Sequence, residues 1–155
     1  MSAAPFDVDP IRVRLRALVP ALRQVSGSAD YNAVRKLQDF PAPCAFVVLA
    51  REKGIPKPPG HAPRGQQVAV QQAAIVTFAV ITAVRNYREQ RGEQIEDELS
   101  AILAAQRGAL IGYVPDVPGA RAIQWLQGDL TDYDASTALW TEVYQTQHFI
   151  GSNQS

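Results

Sequence analysis

Few residues in this chain have the types and spacings that chemistry demands. His61 lies in a proline-rich stretch and His148 near the end of a strand-like one. Neither has the HxxxH, HExxH or CxxC neighbours that would gather a metal. Asp129, Asp132 and Asp134 set three carboxylates close together, but a calcium loop also needs a sharp-turn glycine and a terminal glutamate, and both are missing. Glu93, Glu96, Asp97 and Glu98 crowd the start of a helical pattern, where the positive end of the helix dipole already accounts for acids. The segment GIPKPPG lacks the Lys-Ser/Thr ending of a phosphate loop, and no G-x-S-x-G elbow occurs. Cys44 is flanked by Pro43, Ala45 and Phe46, which reads as a buried structural thiol rather than a nucleophile. A single cysteine excludes an internal disulfide framework and suits a reducing cytoplasm. No catalytic, cofactor-binding or metal-binding residue is therefore expected.

What remains is a set of cations. REKGIPKPPGHAPRGQ, residues 51–66, carries Arg51, Lys53, Lys57 and Arg64 against Glu52 alone, with four prolines and three glycines. Proline removes amide donors, so the stretch reads as a long mobile loop rather than part of a sheet. Structureless loops of this length are usually functional or disordered. One reading is a basic arm that reaches a neighbouring subunit or passing DNA; the other is a solvated hairpin tip. Over the whole chain, 15 Lys and Arg balance 15 Asp and Glu, so no net charge draws the protein to nucleic acid or an anionic membrane. The distribution is uneven: residues 1–64 hold ten basic and five acidic side chains, and the remainder holds five basic and ten acidic. That split permits head-to-tail contact between copies; surface charge balanced within one fold is the plainer explanation.

The elements that position these groups centre on residues 67–85, QVAVQQAAIVTFAVITAVR, uncharged until Arg85. Val68, Val70, Ile75, Val76, Thr77, Val80, Ile81, Thr82 and Val84 are β-branched, which favours a strand. Both faces must be covered, a bulky one (Val76, Phe78, Val80, Thr82, Val84) and a slim one (Ile75, Thr77, Ala79, Ile81, Ala83). Interruption by Gln66, Gln67, Gln71 and Gln72 leaves about a dozen apolar residues, too few for a membrane span.

Upstream, Asp9-Pro10 starts a helix running to about Gln24 unless Pro20 ends it early, with the Asp9 carboxylate as its cap. SGS breaks the chain at Ser26–Ser28, Ala29–Leu37 forms a short helix or turn, and Cys44–Ala50 is a buried strand pairing with the central one. Downstream, Asn86–Gln94 turns the chain and a helix spans about Glu93–Leu110, with Ile95, Leu99, Ile102, Leu103 and Leu110 as its stripe. Gly108, Gly112 and Pro115 provide its exit. Ala122–Leu130 and Thr137–Ile150 read as an antiparallel pair joined by TDYDAS, and GSNQS as a frayed tail. The start, MSAAPFDVDP, has no basic leader or apolar core of a signal peptide. The expected fold is α+β: a mainly antiparallel sheet flanked by two main helices, one domain over 1–155.

This order, with CAFVVLARE, TFAVITAVRN, LAAQRGALIGYVPD and ALWTEVYQTQHFIG, resembles the tail terminator proteins of long-tailed bacteriophages over roughly Pro43 to Gly151. The resemblance implies a non-enzymatic virion protein that forms a ring, typically a hexamer. Such a ring caps the tail tube, ends its polymerisation and joins the tail to the head connector, with genomic DNA passing through the lumen without sequence-specific binding. Implied partners are further copies of the chain, the tail tube protein and the connector protein, and not a membrane; the implied location is the head-proximal end of the tail, after assembly in the host cytoplasm. Arg51, Lys53, Lys57 and Arg64 are then candidates for the subunit interface or lumen. Another connector or tube protein, or a small cytoplasmic α+β ligand-binding domain or enzyme, stays open as an alternative. A bulky charged residue at Ala79, on the slim face, is expected to disrupt folding or assembly, which circular dichroism and native mass measurement would detect.

Overall fold

A computed structural model describes residues 2–85 and 92–152, with backbone alone for 92–97. The order is α1 (Asp9–Leu18), β1 (Gln24–Ser26), α2 (Ser28–Ala33), a 3-10 turn (Leu37–Asp39), β2 (Cys44–Gly54), β3 (Gln71–Arg85), α3 (Gly92–Leu110), β4 (Gln124–Tyr133) and β5 (Thr137–Gly151). The strands form one sheet in the order β1-β2-β3-β5-β4, with β1 parallel to β2 and the other pairs antiparallel. This is the expected α+β fold, a mainly antiparallel sheet with α1 and α3 as its main helices.

β3 lies at the centre, and the register shows how its two faces are covered. Val76, Phe78, Val80 and Val84 are buried with Ile11 and Leu15 of α1 and Ile102 and Leu110 of α3. Tyr144, opposite Phe78 on β5, stacks on that ring at 5.5 Å between centroids. On the slim face, Ile81 and Ala83 join Phe46 and Leu139 beneath Phe40 and Ala42, with Tyr31, Val34 and Leu37 packed around them. Arg85 ties this second cover down by donating to the carbonyls of Gln38 (2.9 Å) and Phe40 (2.7 Å). Ala79 is buried on the same face, but toward Gln71 that face turns polar.

Several boundaries differ from expectation. α1 stops at Leu18, just before Pro20, and its Asp9 N–H donates to Asp7 while the Asp9 carboxylate pairs with Arg12. At the expected helix end, Gln24, the chain instead enters β1, three residues paired in parallel with Cys44–Phe46 and held by Arg16 donating to the Val25 carbonyl. A short helix, Ser28–Ala33, and the separate 3-10 turn replace the single element expected over Ala29–Leu37.

β2 runs to Gly54, so Arg51 and Lys53 are strand residues, and the irregular connection is 55–70 rather than 51–66. Charge misleads here because a strand with one solvent-facing side tolerates it at alternate positions. The central strand correspondingly begins at Gln71 rather than 67. Thr131–Tyr133, expected as loop, extend β4. At the C-terminus, Gly151 N–H donates to the Ser2 carbonyl and Ser152 N–H to the Val70 carbonyl, both at 3.0 Å, so the expected frayed tail starts with two held residues. The expected turn falls at 86–91, outside the described residues, and α3 already begins at Gly92. The side chains of Glu93, Ile95, Glu96 and Asp97 also lie outside the described residues. Gly112, at φ 87°, reverses the chain after α3, a left-handed conformation that glycine adopts without Cβ strain.

One charge is buried between α3 and the sheet. Glu142 of β5, wholly inaccessible, accepts from Arg107 Nε and, at 3.2 Å, from Arg107 Nη2, while Trp125 Nε1 donates to it at 2.9 Å. The Arg107 guanidinium also lies 4.7 Å from the centre of the Trp125 ring. Gly128, opposite Glu142 on β4, leaves room for the carboxylate, since a Cβ there would overlap Oε2 and come within 2.9 Å of Trp140 Nε1. Arg107 is 36% exposed and Glu142 is not exposed at all, so the two partners differ in what their loss leaves behind. Arg107→Ala strands a buried carboxylate and should cost roughly 3 kcal/mol. Glu142→Gln keeps a polar group in place and leaves a cation that reaches water, costing about 1 kcal/mol. Urea unfolding of the two variants checks this asymmetry; equal losses would refute it.

Candidate assembly surface

The four cations singled out from the sequence fall into two pairs. Arg51 and Lys53 pair with Thr77 and Ile75 across β3, and those with Gln145 and Gln147 on β5. All six share the sheet face opposite α1 and α3. Both cations are exposed, whereas Glu52 between them turns to the helix-covered face and accepts from Phe6 N–H at 2.7 Å. Lys57 and Arg64 sit on the exposed 55–70 arm. The base of the arm is held by Ile55 N–H donating to the Ala73 carbonyl at 2.8 Å and by Val70 N–H donating to Ser152 Oγ at 3.2 Å. Its tip turns at Gly65, where φ is 82° and Gln66 N–H donates to the Pro63 carbonyl. The structure thus gathers Arg51 and Lys53 on one face and carries Lys57 and Arg64 away on a narrow limb.

The other sequence candidates are occupied structurally. His148 is buried, with Nε2 3.1 Å from Glu52 Oε1 and its ring edge-on to Phe6 at 5.4 Å. Cys44 is buried under the second cover, and loss of solvent pushes its thiol up to about 11 despite the partly offsetting charge of Arg85. Asp134 accepts from the Ser136 hydroxyl and amide and from the Thr137 amide, which closes the β4–β5 turn and holds its carboxyl below the usual range. Among the described residues no group of three or more His, Cys, Asp or Glu could hold a metal. Nor, among them, is any helix long and apolar enough to cross a membrane. A groove of about 460 Å³ runs between the limbs of the arm, lined by Pro56, Pro58, Pro59, Lys57 and Val70. It brings no acid and base together.

Two features were missed in the sequence. One is the Arg107–Glu142–Trp125 cluster; its signal is Glu142 standing on the buried parity between Trp140 and Tyr144. The other is β4, whose outer edge pairs with no described strand and whose Trp125, Leu126, Leu130 and Tyr133 are 41–67% exposed. Its signal was present in those residue types, but edge position is a property of topology and cannot be read from a strand alone.

The arrangement is a sheet roofed by helices on one side, cationic and polar on part of the other, with a projecting arm and an open edge. No curated protein matches the chain. Compared with known protein families, residues 1–154 match the family described as phage tail terminator protein. Nearly the whole chain is covered, so the protein belongs to the phage tail terminator family and is a structural component of the virion tail.

Proposed function

We propose that the chain closes into a ring, a hexamer, on the head-proximal end of the tail tube, where it ends tube polymerisation and presents the surface that joins the head connector. The family match over residues 1–154 carries this reading. The one-sided sheet supports it. A ring needs contacts between two different surfaces of the subunit, and the arm and the open β4 edge are different surfaces.

The exposed sheet face bearing Arg51 and Lys53 among Thr77, Gln145 and Gln147 suits a lumen through which DNA passes. Cations attract the phosphate backbone without reading sequence, and glutamine and threonine remain solvated beside it. Lys57 and Arg64, on the arm, suit contact between subunits. Assembly takes place in the host cytoplasm, before the tail is joined to the head.

Electron microscopy of the purified protein, alone and added to growing tail tubes, tests the reading. Closed rings and tubes arrested at a set length are expected; long tubes formed by the protein alone would make it a tube subunit instead. Replacing Arg51, Lys53, Lys57 and Arg64 together by Ser should lower ring assembly or tail–head joining by about tenfold, the scale on which removing several exposed ion pairs together acts. Unchanged assembly and infectivity would remove these residues from the interface and lumen.

A further inference from the structure

The sheet ends differently on its two sides. On the β1–β2 side, α1 reaches over the edge: Arg16 donates to the Val25 carbonyl through Nε (3.2 Å) and Nη2 (2.7 Å), and Arg12 Nη1 reaches the Val47 carbonyl at 3.4 Å. Arginines thus occupy two of the carbonyls on this side, although β2 beyond Phe46 also pairs with no described strand on its outer edge. On the other side β4 is bare. It is ten residues long, and no described strand covers it. Exposed backbone edges of this length invite another chain, and natural proteins either blunt them or use them.

We infer that the outer edge of β4 receives the 55–70 arm of a neighbouring copy of this chain. The inference rests on the ring reading above and names the surfaces that would close the ring. Charge selects the occupant. Asp129 and Asp132 are exposed on β4, and no Lys or Arg occurs between residues 122 and 137. Two β4 edges brought together would oppose these acids to one another, which disfavours a two-fold β4–β4 pairing. The arm carries Lys57 and Arg64, and neither makes an ion pair among the described residues.

The arm also has apolar groups to match those of β4. Ile55, Val68 and Val70 are 36–38% exposed. Gln66–Val70 is proline-free and pairs with no described strand, and although Ser152 holds its Val68 and Val70 end, the Gln67 and Ala69 backbone is left to donate and accept along a strand edge. Folded back on itself, the 55–70 segment can project roughly 25 Å at about 3.3 Å per extended residue, enough to cross onto a neighbour. Arm and edge lie on different parts of each subunit, so the contact is head-to-tail and propagates around a closed ring.

Cross-linking in the full chain tests this. With Cys44→Ala as background, Lys57→Cys and Leu130→Cys are introduced singly and together, and assembled protein is treated with a short bismaleimide. Only the double variant should give a covalent ladder ending at the ring size. In parallel, Asp129→Lys with Asp132→Lys should reduce ring yield by at least about tenfold, and adding Lys57→Glu with Arg64→Glu should restore it. That restoration also shows that the reversed β4 still folds. Closed rings without a ladder, or undiminished rings with the β4 acids reversed, overturn the arm–β4 contact and leave the ring reading standing. Dimers cross-linked through Leu130→Cys alone would instead assign the edge to β4–β4 pairing. Absence of rings from wild-type protein, with or without tail tubes, overturns both.

Discussion

Everything in this fold follows from the need of β3 to bury both faces. A strand paired along both edges and uncharged up to Arg85 has no side that can be given to water over its C-terminal half. Burying Val76, Phe78, Val80 and Val84 is worth about 1.5–3 kcal/mol per side chain, and α1 and α3 supply that cover. The slim face can take only a thin layer, so a short helix and a 3-10 turn suffice there, closed by aromatic contacts of Phe46 with Tyr31 and Phe40 at 5.6 and 5.5 Å. Where this thin cover stops, the side chains change from Ile81 and Ala83 to Thr77, Gln145 and Gln147. The uncovered part of the sheet is therefore a consequence of the same constraint, and it is where Arg51 and Lys53 emerge.

Hydrophobic cover does not by itself fix where α3 sits along the sheet, because apolar contacts are non-directional. The Glu142 carboxylate supplies direction. It is held by Arg107 from the helix and Trp125 from β4, so three elements meet at one group. A shift of α3 by one turn would leave a buried carboxylate without its cation, a penalty of several kcal/mol. Thr82 and Gln106 reinforce the same register, with Gln106 Nε2 donating to Thr82 Oγ1 at 2.9 Å inside the core. Hydrogen bonding to Glu142 also raises the Arg107 pKa above its already high ordinary value. By contrast, Tyr144 OH and Trp140 Nε1 find no partner among the described residues, and burial pushes the Tyr144 phenol upward.

Much of this was legible from the chain. β3, β5 and α3 announce themselves through long runs of a single texture, and the bulky and slim parities of β3 map onto the two clusters that cover it. What could not be read has physical causes. β1 has three residues and no pattern of its own; it exists because Cys44–Phe46 offers an edge. Arg51 and Lys53 looked like loop because composition cannot distinguish a solvated strand face from a solvated loop. Glu142 reads as one charge in a strand, although a carboxylate on the parity of Trp140 and Tyr144 demands a cation to meet it. The open edge of β4 required the sheet order, which depends on pairings far apart in sequence.

That sheet order also changes the meaning of the charge split. In sequence, basic residues gather before position 65 and acidic ones after it, which a single compact fold could mix into an even surface. Within the sheet the strands keep them apart. Because the order is β1-β2-β3-β5-β4, Arg51 and Lys53 of β2 lie to one side of β3 and Asp129 and Asp132 of β4 to the other. A difference along the chain thereby becomes a difference across the sheet. A subunit with unlike sides favours unlike contacts, and opposite charge on those sides steers association while resisting the like-to-like pairing of a two-fold dimer. The unlike contacts that the proposed ring would need therefore have a counterpart in the order of the strands.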